Sequence, residues 1–253
     1  MKKNIKNKIK REKYSKNLFL KPFIGVIYGL WATYKFITDG YYRSIFLAQL
    51  RSENVHQPLN ITRMDRYPEL FKAAQKYFQG SKKPLRLLSF GCSTGEEAFT
   101  LREYFPAAQI IGVDISRWNI KICHQRNRDE NIIFRHSDYK TLLELGPFDA
   151  IYCLAVLQHP DLKTKMMKIT DSTAIYPFHK FDKQIEELDS LLAVNGLLIL
   201  NHTNYRFFDS SVGHKYKVLA GLFSKTSEVT KFDKHNKKME HEICEDRIFI
   251  KEK

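Results

Sequence analysis

Gly91-Cys92-Ser93-Thr94-Gly95-Glu96-Glu97 joins an apolar run to a helical pattern through two glycines and two acids. The glycines permit a tight turn and let a ligand approach where a Cβ would block it. The helix start at Glu96 offers backbone N–H groups without intrahelical partners. Two acids at that point would repel a phosphate, and neither a Walker lysine nor a G-x-G-x-x-G spacing is present. A ligand bearing an ammonium group tolerates the acids and can use one, with Glu96 the preferred candidate. Asp114 closes the apolar run Gln109–Asp114, 19 residues after Gly95. A carboxylate placed there can hold both hydroxyls of a ribose. Asp138, preceded by Ser137, can accept from an exocyclic amine.

These residues need a scaffold that brings them to one edge. From Leu85 onward the chain alternates apolar runs with helical patterns. Strands are expected over 85–90, 109–114, 131–138, 148–156 and 197–202, and helices over 96–105, 117–127 and 181–196. The last helix is expected to stop at Asn195-Gly196, a pair suited to a left-handed cap. Apolar strands between helices indicate a parallel sheet covered on both faces. Ligands then bind beyond the carboxyl ends of the strands, where the strand order reverses. The residues at those ends are the glycine loop, Asp114, Ser137-Asp138, then Leu154, Ala155, Gln158 and His159, and finally Asn201, His202 and Asn204.

An ammonium, a ribose and an adenine amine together describe S-adenosylmethionine better than NAD. On these motifs the chain resembles the class I S-adenosylmethionine-dependent methyltransferases over about residues 84–204. "SFGCSTGEE" matches their glycine-rich first motif, "GVDIS" the second and "HSDY" the adenine-contacting motif. "FDAIYCLAVLQH" matches the fourth motif, and "LLAVNGLLIL" the region of the fifth strand. The wording "STGEE" is similar to that of chemotaxis receptor methyltransferases, in which a following Glu lies near the methionine amine. Three positions depart from the pattern. Ser89 stands where an acid is usual, Ser93 where a middle glycine is usual, and "AVNGLL" replaces a Pro-Gly-Gly turn.

The resemblance implies an α/β Rossmann-like fold: a seven-stranded, mostly parallel sheet with helices on both faces, preceded by N-terminal accessory helices. It implies S-adenosyl-L-methionine as cofactor, held by Gly91, Cys92, Ser93, Thr94, Gly95, Glu96, Asp114, Ile115, Ser137, Asp138, Tyr139, Leu154 and Ala155. Methyl transfer is an in-line displacement at a sulfonium, in which the protein mostly supplies alignment. An amine or hydroxyl acceptor can also need a base, and histidine suits. His159 is the first candidate; His179, His202, Asn204 and Tyr205 are candidates for substrate contact, with Asn201 and Arg206 beside them. The Asn/Asp-Pro-Pro-Tyr/Phe motif of adenine-N6 and cytosine-N4 methylation is absent, and "LAVLQHP" is the form of small-molecule O- and N-methyltransferases. Loop 160–178 is long enough to cover a pocket.

The N-terminal part reads differently. Residues 1–16 carry seven Lys and one Arg against one Glu, a net +7 within a chain total of +14. Residues 1–17 are read as a basic disordered tail, 18–80 as accessory helices and 81–253 as the methyltransferase domain. Lys21 and Lys35 bracket an uncharged run shorter than the about 20 residues a membrane span needs. Its Tyr28, Trp31 and Tyr34 suit a helix lying on an anionic leaflet, or a lid. In the loop 55–68, His56, Thr62, Arg63, Arg66 and Tyr67 are candidate pocket-lining groups. Cys92, Cys123, Cys153 and Cys244 show no metal-ligand spacing, so no metal is expected and the thiols read as those of a reduced, cytoplasmic protein. The acceptor classes left open are a small molecule, glycan or lipid precursor, with the enzyme at the inner face of a membrane through residues 1–37; RNA or protein, through the basic tail; and no acceptor, if the fold only binds.

Overall fold

The computed structural model describes residues 21–51, 55–163, 169–219, 225–226, 229–240 and 244–253. The expected basic tail lies outside them. The chain divides into two compact units, 1–47 and 48–253.

In the smaller unit, helix α1 (Lys21–Thr38) is followed by α2 (Gly40–Arg51), whose last residues belong to the larger unit. Asp39 separates the two helices. Its carboxylate accepts the Tyr42 N–H at 3.0 Å, capping α2, and pairs with Lys35 at 2.9 Å. That capping bond and the Lys35 contact outweigh partial burial and hold the Asp39 carboxyl below its usual range. Val26, Ile27, Leu30, Tyr34 and Ile37 are all exposed on α1. No helix among the described residues is long and apolar enough to cross a membrane.

The larger unit is built on a sheet. In chain order its elements are α3 (Pro68–Tyr77), β1 (Arg86–Phe90), α4 (Glu96–Tyr104), β2 (Gln109–Asp114), α5 (Arg117–Arg126), β3 (Ile132–His136), α6 (Tyr139–Leu145), β4 (Phe148–Leu154), α7 (Phe178–Leu191), β5 (Leu192–Asn201), β6 (Tyr216–Val218), β7 (Lys225–Thr226), β8 (Cys244–Glu245) and β9 (Ile248–Lys251). The main sheet has seven strands in the order β3-β2-β1-β4-β5-β9-β6, and β7 pairs separately with β8. The first five are parallel; β9 runs antiparallel to both β5 and β6. The order reverses between β1 and β4, which puts the ligand cleft of such a sheet beyond their carboxyl ends.

Both faces are covered, which is why the strands read as unbroken apolar runs. On one face Leu88, Ile111, Ile151 and Leu198 pack with Phe181, Ile185 and Leu188 of α7. On the other, Leu87, Ala150, Tyr152 and Ile199 pack with Leu70, Phe71 and Ala74 of α3 and Leu101 of α4. Phe71 stacks on Tyr152 at 5.5 Å between ring centroids. Helix α3, read from sequence as part of an accessory segment 18–80, is therefore built into the core of the larger unit.

The expected helix 181–196 is also corrected. Helix α7 starts earlier, at Phe178, and ends at Leu191; β5 begins at Leu192. Lys251 donates to the Asp189 and Leu192 carbonyls at 2.6 and 3.1 Å, closing the helix end four residues before Asn195. Asn195 (φ +64°) and Gly196 instead form an irregularity within the strand, between the Phe148–Leu192 and Ala150–Leu197 pairs. A Cβ at Gly196 would meet the Ala193 and Asp149 carbonyl oxygens at 2.8 and 2.9 Å.

Candidate active site

The loop after β1 takes left-handed conformations at Gly91 (φ +79°), Ser93 (+54°) and Gly95 (+100°). The Gly91 and Cys92 N–H groups both donate to the Val113 carbonyl at 2.8 Å. A Cβ on Gly91 would come within 2.5 Å of Val156 Cγ2. The loop is tied to the end of β2 by Asp114, whose Oδ2 accepts the Ser93 N–H at 2.9 Å. Its Oδ1 accepts the Ser116 N–H at 2.7 Å and the Asn119 amide at 3.2 Å. Burial pushes the Asp114 carboxyl up to about 6 against these bonds. Cys92 contributes backbone only, since its side chain is buried in the core and burial pushes its thiol well up.

The two acids opening α4 part company. Glu96 accepts from the Thr94 hydroxyl at 2.7 Å and pairs with Arg126 of α5 at 2.5 Å. Those partners overcome partial burial and hold its carboxyl low. Glu97 turns the other way, towards β1, and accepts the Ser89 hydroxyl at 2.7 Å. Burial pushes Glu97 up to about 8, opposed by the Ser89 bond and the Arg66 charge. Glu96 is thus engaged by Arg126 and Thr94, whereas Glu97 sets its carboxyl group beside Ser89, where the usual acid is missing.

At the end of β4, Ala155 (φ +61°) presents its carbonyl to two glutamines. Gln57 and Gln158 donate to it at 3.2 and 3.1 Å, and their Oε1 atoms are buried with no hydrogen-bond partner among the described residues. Asn60 takes the Ser93 hydroxyl and donates to Asn119 at 3.3 Å. Segment 55–62 therefore crosses the glycine loop. Gln57 and Asn60 were not singled out from sequence, where they are ordinary polar loop residues with no local signal. His56, read there as pocket-lining, is buried between the Tyr176 hydroxyl (2.8 Å) and Gln184 Oε1 (3.1 Å). Burial pushes it down to about 3, so it pins the segment to α7 as a neutral ring.

A cavity of about 480 Å³ lies beyond the end of β5. It gathers Thr62, Arg63, Arg66 and Tyr67 with Asn201, His202 and Arg247. The His202 ring lies 5.6 Å from that of Tyr67. Arg247, just ahead of β9, was missed because nothing in its local sequence ties it to β5.

Other expected residues fall elsewhere. Asp138 is exposed and caps α6, accepting the Thr141 N–H at 3.3 Å; that bond and the Thr141 hydroxyl hold its carboxyl low. Tyr139 bonds Ser190 of α7 at 2.8 Å, away from the strand ends. Asn204 is buried, accepting the His159 N–H at 2.7 Å and donating to the Thr230 carbonyl at 2.9 Å. Tyr205 is fully buried, with its hydroxyl on the Tyr176 carbonyl (2.5 Å), Ser172 (2.7 Å) and Asn236 (3.1 Å). Both are structural, not substrate contacts. His159 follows β4 as expected, but its Nδ1 accepts the Asp161 N–H at 3.3 Å. His179 is exposed on the first turn of α7. Arg206 pairs with Asp209 at 2.7 Å. Ile115 and Ser137 flank the ends of β2 and β3, the Ser137 N–H donating to the Asp114 carbonyl at 3.0 Å. No metal-binding cluster occurs among the described residues.

Sheet order and site define an α/β domain with its cleft at the β1/β4 switch point. Residues 87–172 match the family described as Methyltransferase domain. The chain is 31% identical over 86 residues to a malonyl-[acyl-carrier protein] O-methyltransferase of Bacillus cytotoxicus, covering 34% of this chain and 30% of that one. It is 26% identical over 143 residues to an uncharacterized protein of Rickettsia prowazekii, covering 54% and 51%. The chain thus spans about half or less of the length of these relatives. Among solved structures, the plantazolicin methyltransferase BpumL in complex with SAH aligns over 67% of this chain and 56% of that one, at 16% identity and TM-score 0.38, a likeness too low to carry weight. Residues 87–172 are thus similar to methyltransferase domains.

The methyltransferase domains that this segment resembles imply S-adenosylmethionine, and the residues present fit it. Acceptors stand on and beside the glycine loop: the Asp114 and Glu97 carboxyl groups and the Oε1 atoms of Gln57 and Gln158, which have no partner among the described residues. Hydroxyls and an ammonium are the donors such a set requires.

Proposed function

We propose that the chain transfers the methyl group of S-adenosylmethionine to an O or N atom of a small-molecule, glycan or lipid-precursor acceptor. The glycine loop tied to Asp114 at the end of β2, within the segment matching a methyltransferase domain, supports this reading. When bound, the cofactor supplies an electrophilic methyl on a sulfonium. Asp114 holds the ribose hydroxyls while keeping the loop in place through Ser93. Glu97 and the glutamine carbonyls receive the ammonium. Gly91 and Gly95 leave the backbone free to approach. Asn201 and His202 face the acceptor side. His202 lines the cavity beyond β5 and His159 follows β4, and both are candidates to take the acceptor's proton. Charge disappears from sulfur during transfer, so alignment in a dry cleft supplies most of the rate.

Calorimetry with S-adenosylhomocysteine tests the reading. The wild-type protein is expected to bind, and Asp114→Ala to bind at least about tenfold more weakly, the worth of one charge-assisted hydrogen bond. Absence of wild-type binding sinks the proposal. Labelled cofactor offered to lipid, glycan, RNA and protein fractions then assigns the acceptor class; transfer to RNA or protein alone would move the reading to a polymer. The exposed apolar side chains of α1 and the +7 of residues 1–16 support peripheral contact with an anionic leaflet at the cytoplasmic face. Liposome flotation with and without residues 1–37 tests it.

A further inference from the structure

The cavity beyond β5 has the opposite chemistry to the cofactor cleft: its orphaned polar atoms are donors. Arg247 is 6% exposed, yet its Nε–H has no hydrogen-bond partner among the described residues. Its ion-pair neighbour, Glu69, stands at 3.7 Å, beyond hydrogen-bond reach. Asn201 is 1% exposed. Its Oδ1 accepts the His202 N–H at 3.1 Å, so its amide NH₂ is the free end, and that nitrogen too is without a partner among the described residues. Two buried donors left unsatisfied on one cavity are costly unless a ligand completes them. Arg66 lies over the Tyr67 ring at 5.1 Å, and Arg63 is exposed at the rim. Three guanidinium groups thus line the cavity against one carboxylate, Glu69. Such forks match planar oxyanions.

The cavity also adjoins the cofactor cleft. Asn201 pairs with Leu154 across β5 and β4, and the Ala155 N–H donates to the Asn201 carbonyl at 2.8 Å. A volume of about 480 Å³ suits a metabolite-sized group.

We propose that this cavity is an oxyanion site, completed by a carboxylate or phosphate on the methyl acceptor that Arg247, Arg66, Arg63 and the Asn201 amide hold. Its role in the acceptor rests on the methyltransferase reading; binding of the anion does not. The proposal selects acidic acceptors from the wider class and assigns their anionic end to β5 and β9.

The test titrates inorganic phosphate and malonate separately into the full chain, against chloride at equal ionic strength, with and without S-adenosylhomocysteine. Saturable binding of at least one anion is expected, and the two arms tell phosphate from carboxylate. Arg63→Gln should weaken binding about fivefold and Arg66→Gln about tenfold. Arg247→Met should abolish it; if that variant does not fold, the two other variants decide. Absence of saturable binding of both anions, or binding unchanged in both Arg63→Gln and Arg66→Gln, overturns the proposal. Anion binding without S-adenosylhomocysteine binding would instead overturn the methyltransferase reading and leave the oxyanion site standing.

Discussion

Glu97→Gln isolates the cost of the cleft carboxylate. Burial raises the Glu97 carboxyl to about 8 from an ordinary value of 4.5. Between those values the native state holds a proton that the unfolded chain has lost, so stability falls as pH rises through the window. At about 1.4 kcal/mol per unit the penalty above pH 8 reaches about 5 kcal/mol. The side chain keeps some solvent exposure, so about 2–3 kcal/mol is the expected effect. Glutamine keeps the shape and the bond to Ser89 but cannot ionise. Urea unfolding should find Glu97→Gln about 2–3 kcal/mol more stable than wild type at pH 8.5 and equal to it near pH 4.5. Asp114, raised to about 6, is common to both proteins and cancels in the difference. The same variant should bind S-adenosylhomocysteine more weakly, and wild-type binding near pH 7 should release a proton as the ammonium arrives. A stability difference that does not change with pH would refute both the burial and the assigned role.

The remaining predictions concern the frame and the acceptor side. Asp189 is buried and accepts from Lys215 (2.7 Å), Lys251 (3.0 Å) and the Tyr216 hydroxyl (2.8 Å). Asp189→Ala strands two lysines near the end of α7 and should cost about 3–5 kcal/mol in denaturant unfolding. Gly91→Ala meets both a positive φ and the 2.5 Å approach to Val156. It should lose about 1–3 kcal/mol of stability together with S-adenosylhomocysteine binding in calorimetry. His202→Ala and His159→Ala should both leave cofactor binding unchanged, and whichever removes the acceptor's base should lower methyl transfer about 10²-fold or more; single-turnover kinetics separates the two.

Local pattern made much of this protein legible. Apolar runs of five to seven residues between helical repeats suffice to specify a parallel sheet, because strands buried on both faces admit no polar alternation. The loop from Gly91 to Gly95 and Asp114 were legible as the ends of β1 and β2, because each follows directly on its apolar run. Asn195-Gly196 shows where such reading fails: the pair permits a left-handed turn, but the buried Lys251 ends the helix earlier.

Tertiary structure decided what spacing leaves free. Glu96 and Glu97 are adjacent, and a helix turns them about 100° apart, but only the folded chain decides that Glu96 meets Arg126 and Glu97 meets Ser89. Asn204 and Tyr205 read as a polar strand exit until the Thr230 carbonyl and Asn236 bury them. Gln57, Arg66, Asn201 and Arg247 come from distant parts of the chain, and nothing in their local sequence encodes their meeting. The sequence alone determined the sheet, the glycine loop and Asp114, because those depend on periodicity and backbone freedom. The partner of each acid and the gathering of Arg63, Arg66 and Arg247 on one cavity depend on long-range packing, which only the folded chain supplies.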